Sequence, residues 1–284
     1  MSRYLVLYTF HRFDSPSMHH LLRLQRMNPK ATVVPVLGVP QTISVPIPKL
    51  PKRYRHNFNW VSGKSQKLFK FTQELNTNVE SFRRKSQFQA ITRYLEKHGL
   101  SLYCDFTPIG KDNQDLAIIN WFRSEGKACD FDVMVYFEYD MYATQTIEQL
   151  YLPYANFDAG FVGLRKAEPN WQWYDYPHGS KRSVTRWLKA HNAEPTIYGS
   201  FFPGLFLSRK VLENLAVSRL PAAFCEMRLP SVVKGLGFSV AKLDFPAIRA
   251  PKIGEKGISQ DEIEANAGLG LFHPVYGDFD FSSF

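Results

Sequence analysis

Tyr4-Leu-Val-Leu-Tyr8 is a near-continuous apolar run, the pattern of a strand buried on both faces. A polar turn follows, Thr9 to Ser17. Ser15-Pro16 fits an N-cap with proline at the first helical position, so a helix is expected over Met18 to Met27, ended by Asn28-Pro29. Ala31 to Val39 is a second apolar run. Strand, helix and strand within about 40 residues form the βαβ unit of a parallel sheet.

Residues 40–52 are proline-rich and read as extended. Ser65 to Leu75 and Glu80 to His98 have helical spacing, and Gly99 suits the C-terminal cap of the second. A short strand is expected over Leu100 to Phe106, then a helix from Asp112 or Asn113 to about Glu125. Asp132 to Phe137 reads as a strand running into Glu138-Tyr139-Asp140. Further elements are a helix over Thr144 to Tyr151, a strand over Ala159 to Leu164 and a helix over Ser183 to His191. An apolar run covers Phe201 to Leu207. Ser208 caps a helix to Ala216, and Glu226 to Leu236 and Phe238 to Leu243 read as helix and strand. Residues 168–180 form an aromatic loop, and residues 250–270, polar and glycine-containing, are expected to be a mobile loop. The alternation predicts an α/β fold with a mostly parallel central sheet, flanking helices and a less regular C-terminal part. One domain is expected over 1–284, with halves 1–165 and 166–284.

Composition sharpens this picture. The 284 residues are 44% hydrophobic and 21% charged, which fits a folded globule and excludes a disordered chain. No run of 18 apolar residues occurs, so no integral membrane segment is expected, and the N-terminus lacks the pattern of a signal peptide. Three widely spaced cysteines, Cys104, Cys129 and Cys225, fit neither a disulfide frame nor a zinc site; they point to a reducing, cytoplasmic setting. The net charge of +9 is local. Residues 49–97 hold twelve cations against three acids, which accounts for the whole excess and leaves the remainder neutral.

Three acid-x-Asp triplets occur: Asp130-Phe-Asp132, Glu138-Tyr-Asp140 and Asp278-Phe-Asp280. Position separates them, because ligands gather at the carboxyl ends of parallel strands. Asp130 and Asp132 precede their strand, and Asp278 and Asp280 lie near the C-terminus. Only Glu138 and Asp140 follow a buried strand, where two carboxylates can hold a hard divalent cation. The competing reading is a pair of solvated or capping acids. Thr9 and Arg12, at the carboxyl end of the first strand, are candidates for nucleotide contact, against a plain polar turn. Glu226 follows an apolar stretch, Leu220 to Cys225, so partial desolvation would raise its pKa and suit a general base; the alternative is a helix N-terminal acid favoured by the dipole. Trp171 and Trp173 could stack on a sugar or a base, or fold back onto the domain.

Several strings together resemble the GT-A class of glycosyltransferases. Phe131-Asp-Val-Met-Val-Tyr-Phe-Glu-Tyr-Asp-Met141 is similar to that class's strand with a DxD motif, Glu138 standing for the first Asp. Phe202-Pro-Gly-Leu-Phe-Leu-Ser-Arg209 resembles its acceptor-side stretch. Cys225-Glu-Met-Arg-Leu-Pro230 resembles the helix carrying a carboxylate near the acceptor, and Phe272-His-Pro-Val275 the late histidine of many members. The resemblance implies a GT-A-like fold and a donor that is a nucleotide-diphosphate sugar, UDP- or GDP-linked. It implies Mn²⁺ or Mg²⁺ ligated by Asp140, with Glu138 binding through water or the donor ribose. His273 would be a third ligand or a phosphate donor.

The basic segment bears on the acceptor. A donor diphosphate needs few charges, whereas this excess fits a polyanion such as DNA, contacted through Arg83, Arg84 and Lys85. Tyr54, His56, Phe58 and Trp60 are interleaved there and could stack on bases. Solvated helix faces and an anionic membrane surface are the competing readings. The expectation is a metal-dependent glycosyltransferase acting on a hydroxylated DNA base, similar to enzymes of DNA-modifying phages. The alternatives are a glycan or lipopolysaccharide glycosyltransferase and a non-catalytic nucleic-acid-binding α/β module.

Overall fold

The computed structural model describes residues 2–10, 14–38, 88–105, 113–176, 178–249 and 257–276. Arg12, the basic segment through residue 87 with Arg83, Arg84 and Lys85, and the Asp278–Asp280 triplet lie outside the described residues. The chain divides into two compact units, Met1–Val39 with Leu102–Phe284, and Pro40–Ser101. In the smaller unit, residues 88–97 are helical (α2), with Ile91 and Leu95 buried one turn apart. Gly99, at φ +71°, ends that helix as its sequence position predicts, while the Leu100 amide donates to Leu95 O at 3.0 Å.

The larger unit is built on a seven-stranded sheet. In chain order the strands are β1 (Tyr4–Phe10), β2 (Thr32–Gly38), β3 (Tyr103–Asp105), β4 (Val133–Glu138), β6 (Ala159–Lys166), β7 (Tyr198–Ser208) and β8 (Val240–Leu243), ordered β3-β2-β1-β4-β7-β6-β8. β3, β2, β1 and β4 run parallel; β7 is antiparallel to β4 and β6, and β8 is parallel to β6. The sheet is therefore mixed α/β and mostly parallel, with flanking helices, as the alternation of elements predicts. β1 lies inside it and buries both its faces. Leu5 and Leu7 join Met134, Tyr136, Phe161 and Leu205 in one core, beneath the helices α3 (Gln114–Ser124), α5 (Ser180–Ala190), α6 (Arg209–Val217) and α7 (Cys225–Gly235). On the other face, the Tyr8 hydroxyl donates to Ser17 O of α1 (Ser15–Met27) at 2.8 Å. Among the described residues, no helix is long and apolar enough to cross a membrane.

Local chemistry sets the helix ends. The cap of α1 is Asp14, one residue before the expected Ser15: its carboxylate accepts the Ser17 amide at 3.1 Å, and Pro16 sits within the first turn. Ser208 caps α6 as expected. Asn28 closes α1, and its Oδ1 accepts the amide of Ile147 at 2.7 Å, tying α1 to α4 (Ile147–Tyr151).

Two features position the site, and neither was expected. Residues 250–270 do not form a loop throughout. Ser259 caps a short helix, α8 (Gln260–Ala265), which buries Ile263. Beyond it, β9 (Leu271–Phe272) pairs antiparallel with β5 (Tyr142–Ala143). Single polar residues masked the helix, since one buried isoleucine gives too weak a period to read. The second feature is a buried ion pair. Arg228, in α7, donates through Nε to Asp115 Oδ2 at 2.6 Å and through Nη2 to Oδ1; its Nη1 donates to Ala223 O at 2.7 Å. The side chains of Arg228 and Asp115 are 4% and 0% exposed. Burial works against the arginine's charge, but Asp115 outweighs it and holds the guanidinium above its ordinary pKa.

Removing one partner leaves the other buried and unpaired, so Asp115→Ala is expected to cost about 3–5 kcal/mol. Urea denaturation checks this, the midpoint falling with the slope unchanged. The double replacement Asp115→Leu with Arg228→Met should cost less than the single change.

Candidate active site

Glu138 is the last residue of β4 and lies beside Thr9 of β1 in the parallel register. The chain then turns, the Met141 amide donating to Glu138 O at 3.0 Å. The Tyr139 carbonyl faces inward. The Tyr8 hydroxyl, which shares its one proton between this oxygen and Ser17 O, lies 3.1 Å away, and His20 Nδ1 lies 3.3 Å away. This anchor leaves the two flanking carboxylates to converge, so Glu138 and Asp140 meet through a turn rather than through strand alternation. The β5–β9 ladder brings the third group. Tyr142 pairs with Phe272, and the Val275 amide donates to Asp140 O at 2.8 Å, so His273 arrives opposite Asp140.

Glu138, Asp140 and His273 each offer one ligand atom, and these atoms lie within 4.8 Å of one another. Asp140 and His273 are 5% and 3% exposed. His273 Nδ1 lies 3.0 Å from Arg249 O; a carbonyl only accepts, so Nδ1 carries the proton and Nε2 faces the carboxylates. Nε2 is 3.4 Å from Asp140 Oδ1 and 3.8 Å from Glu138 Oε2. The closer contact lacks hydrogen-bond geometry, and Asp140 Oδ1 is a buried oxygen with no donor. Glu138 Oε1 accepts from Gln114 Nε2 at 2.8 Å. Burial, with Asp140 adding to it, raises the Glu138 carboxyl well above its ordinary pKa despite His273 and Gln114. Burial opposes charge on His273, but Asp140 and Glu138 outweigh it and raise its pKa. Two carboxylates, one of them with a buried oxygen that has no hydrogen-bond partner, and an imidazole form a donor set that fits a divalent cation.

Glu226 opens α7 and is 9% exposed; its Oε1 accepts the Phe202 amide at 3.3 Å. Burial pushes its carboxyl up to about 8, against that hydrogen bond; Glu138 raises it further, while Arg165 and His273 oppose. Its charge state is thus tied to the cluster. Arg228, two residues on, and Asp115, next to Gln114, are the two ends of the buried ion pair. The Cys225 thiol lies 4.0 Å from Gln114 Oε1.

The structure therefore brings Glu138, Asp140 and His273 together and links Glu226 to them. Thr9 sits beside Glu138, with its hydroxyl already engaged by Tyr136 Oη at 2.9 Å and Phe137 O at 3.2 Å. Trp171 and Trp173 fold onto the core. Trp173 stacks on Phe224 at 4.4 Å, and Trp171 lies over Gly199, where a β-carbon would come within 2.7 Å of its ring. Arg165 covers the Trp171 ring at 5.4 Å. Asp130 and Asp132 pair with Arg3 at the opposite end of β4, as their position before the strand predicts. Sequence reasoning missed Gln114, Arg165 and the Asp115–Arg228 pair. Gln114 follows an expected helix cap and signals nothing more; only the fold makes it a partner of Glu138.

No protein family model matches the chain, and no curated protein matches it significantly. Among solved structures it is similar to a 4-diphosphocytidyl-2C-methyl-D-erythritol synthase, at 9% identity and a TM-score of 0.39 over 95% of this chain and 98% of that one. It also matches TarS of S. aureus, at 10% identity and a TM-score of 0.36 over 86% of this chain and 37% of that one. A third match is mouse xyloside xylosyltransferase 1, at 10% identity and a TM-score of 0.25 over 84% and 77%. Likeness at this level says nothing about chemistry at the site.

The Glu226 shift carries a sign for stability. Its pKa rises from 4.5 to about 8 on folding, so within that window the folded chain holds a proton that the unfolded chain releases. Stability should fall as pH rises through the window, by at most about 1.4 kcal/mol per pH unit for this group. Glu138 contributes in the same sense. Urea titrations in EDTA should show a shallower decline for Glu226→Gln, which ends more stable than the parent above the window; equal slopes would refute the buried carboxyl.

Proposed function

We propose that this chain is a metal-dependent glycosyltransferase with a GT-A-like architecture, moving a sugar from a nucleotide-diphosphate donor to an acceptor hydroxyl. The observation that carries the reading is the Glu138–Asp140–His273 cluster at the carboxyl edge of β4, with Asp140 and His273 buried and Asp140 Oδ1 lacking a donor. Asp140, His273 and Glu138 would hold the cation. When bound there, a divalent cation supplies Lewis-acid stabilisation of a departing diphosphate.

The chain's own groups supply the rest. Gln114 holds Glu138 by one oxygen and leaves the other toward His273. Arg249 O fixes the imidazole so that Nε2 faces the site. Glu226 takes the proton of the acceptor hydroxyl as that oxygen bonds to the anomeric carbon and the bond from that carbon to the diphosphate breaks. A carboxyl titrating near 8 lies close to working pH, where general bases are efficient. Thr9, beside Glu138, and Arg12 are the proposed nucleotide contacts. For the acceptor we propose a hydroxylated base in DNA, on the strength of the charge concentrated in residues 49–97. Such a base must leave the duplex stack to be reached.

Thermal denaturation with UDP or GDP tests the donor site. Nucleotide plus Mn²⁺ should raise the melting temperature by about 5 °C or more, and EDTA or Asp140→Asn should abolish the rise. No shift with any nucleotide, together with no hydrolysis of any sugar nucleotide, would sink the reading. Transfer to hydroxymethylated DNA tests the acceptor, and transfer to a glycan instead would replace DNA while leaving the reaction class intact.

The general-base role has its own test. The kcat of Glu226→Gln should fall by about 10²–10⁴-fold, with donor KM little changed, and its pH profile should lose the rise seen in the parent. An unchanged profile would return Glu226 to a structural role.

A further inference from the structure

Outside residues 49–97 the chain is neutral on average, yet α5 is not. Ser180–Ala190 holds Lys181, Arg182, Arg186 and Lys189 and no acid. Arg182, Arg186 and Lys189 fall within an arc of about 60° and span about 10 Å of helix axis. All four cations are exposed, and among the described residues none forms an ion pair with a carboxylate. An open groove of about 720 Å³ runs along this face. The one acid among its described lining residues, Asp175, is already engaged by the amides of Gly179 and Lys181, at 3.1 and 3.0 Å, and by His178.

The helix's other face is spent on the core. Val184, Trp187 and Leu188 are buried, so α5 has no apolar residues to insert into a lipid surface. Beside its N-terminal end stand aromatic rings. Tyr176 is 41% exposed, and Lys181 lies over the Tyr174 ring at 4.9 Å. The helix is also joined, on its inner side, to the segment that leads into α7. The Ala222 amide donates to Ser183 Oγ at 3.0 Å, and Trp173 stacks on Phe224, two residues before Glu226. A polymer lying along α5 would be held by a helix that packs against the segment carrying the proposed base.

We infer that the outer face of α5 binds the phosphate backbone of a nucleic acid strand, with Arg182, Arg186 and Lys189 contacting successive phosphates. At an axial rise of about 3.4 Å per nucleotide, three successive phosphates span about 7 Å, which the stripe is long enough to cover. Exposed rings next to a cationic stripe are the usual platform for unpaired bases. The inference rests on the transferase reading only for its purpose, delivery of the acceptor; the binding itself stands apart.

The test is fluorescence anisotropy of a labelled single-stranded DNA of mixed sequence, with the full chain, from about 50 to about 300 mM salt. Replacing Arg182, Arg186 and Lys189 together by Gln should weaken binding at least tenfold and flatten the log–log salt slope by about 2, near 0.7 for each lost contact. Arg186→Gln alone should flatten it by about 0.7. The melting temperature and acceptor-free hydrolysis of the sugar nucleotide should not change, because these side chains touch neither core nor cluster. A parental salt slope in both variants would overturn the inference, as would α5-dependent binding to anionic vesicles without binding to DNA. If α5-dependent DNA binding occurs with no hydrolysis of any sugar nucleotide, the transferase reading falls and the α5 site stands. If hydrolysis occurs with a salt slope independent of α5, the α5 site falls and the transferase reading stands.

Discussion

Placing Glu138 and Asp140 within ligand distance of each other, out of water, costs energy that the surrounding residues must offset. The described partners do this only in part. Gln114 donates one hydrogen bond to Glu138, and His273 faces both acids at more than 3.3 Å. Protonation of Glu138 absorbs some of the strain, which is why its carboxyl titrates high. The remainder shows as an oxygen of Asp140 that nothing donates to. Like charges packed this way persist where the fold over-determines them, and such places tend to be functional.

Over-determination here has two identifiable sources. The turn after β4 is held from behind by Tyr8 and His20 on the Tyr139 carbonyl, so Asp140 cannot swing outward without losing the Tyr8 hydrogen bond. His20 is itself buried enough that its imidazole titrates down near 4, which keeps it neutral and leaves the carboxylates without a second cation from that side. From the front, the β5–β9 ladder and the Val275 amide clamp the segment carrying His273. The Asp115–Arg228 pair then locks α3 to α7, and with them Gln114 and Glu226. A buried pair of this kind is weak evidence for stability but fixes register well. Its position between two helices that each contribute a polar group to the site fits that use.

Much of the frame could be read from residues. The apolar runs of β1 and β4 marked buried parallel strands, and the rule that ligands gather at strand carboxyl ends chose Glu138 and Asp140 over two similar triplets. Asp130 and Asp132 pair with Arg3 at the other end of the strand. What could not be read was everything that depends on long-range closure. A two-residue strand such as β9 has no periodicity, and a six-residue helix with one buried side chain has almost none. Gln114 and Arg228 look like ordinary helical residues until the sheet brings α3 and α7 side by side. For the tryptophans the sequence left two readings, a ligand platform or rings folded back onto the domain. Trp173 stacks on Phe224 and Trp171 lies over Gly199, so both rings pack half-buried against the core, a contact that only the fold reveals.

Charge was the most misleading average. Summing over sequence put the whole excess in residues 49–97 and declared the rest neutral. A field depends on which charges are neighbours in space, not on which balance in a sum. Asp130 and Asp132 are bound to Arg3, Glu213 to Arg209, and Asp115 is buried against Arg228, so these acids are taken up by cations on other elements. With a Debye length of about 8 Å an opposite charge must be close to matter, and among the described residues no carboxylate forms an ion pair with Arg182, Arg186 or Lys189. The fold therefore sorts a neutral stretch of sequence into a negative cluster under the β4 edge and a positive stripe along α5. Charges of opposite sign held on different elements of one scaffold keep their separate fields instead of cancelling.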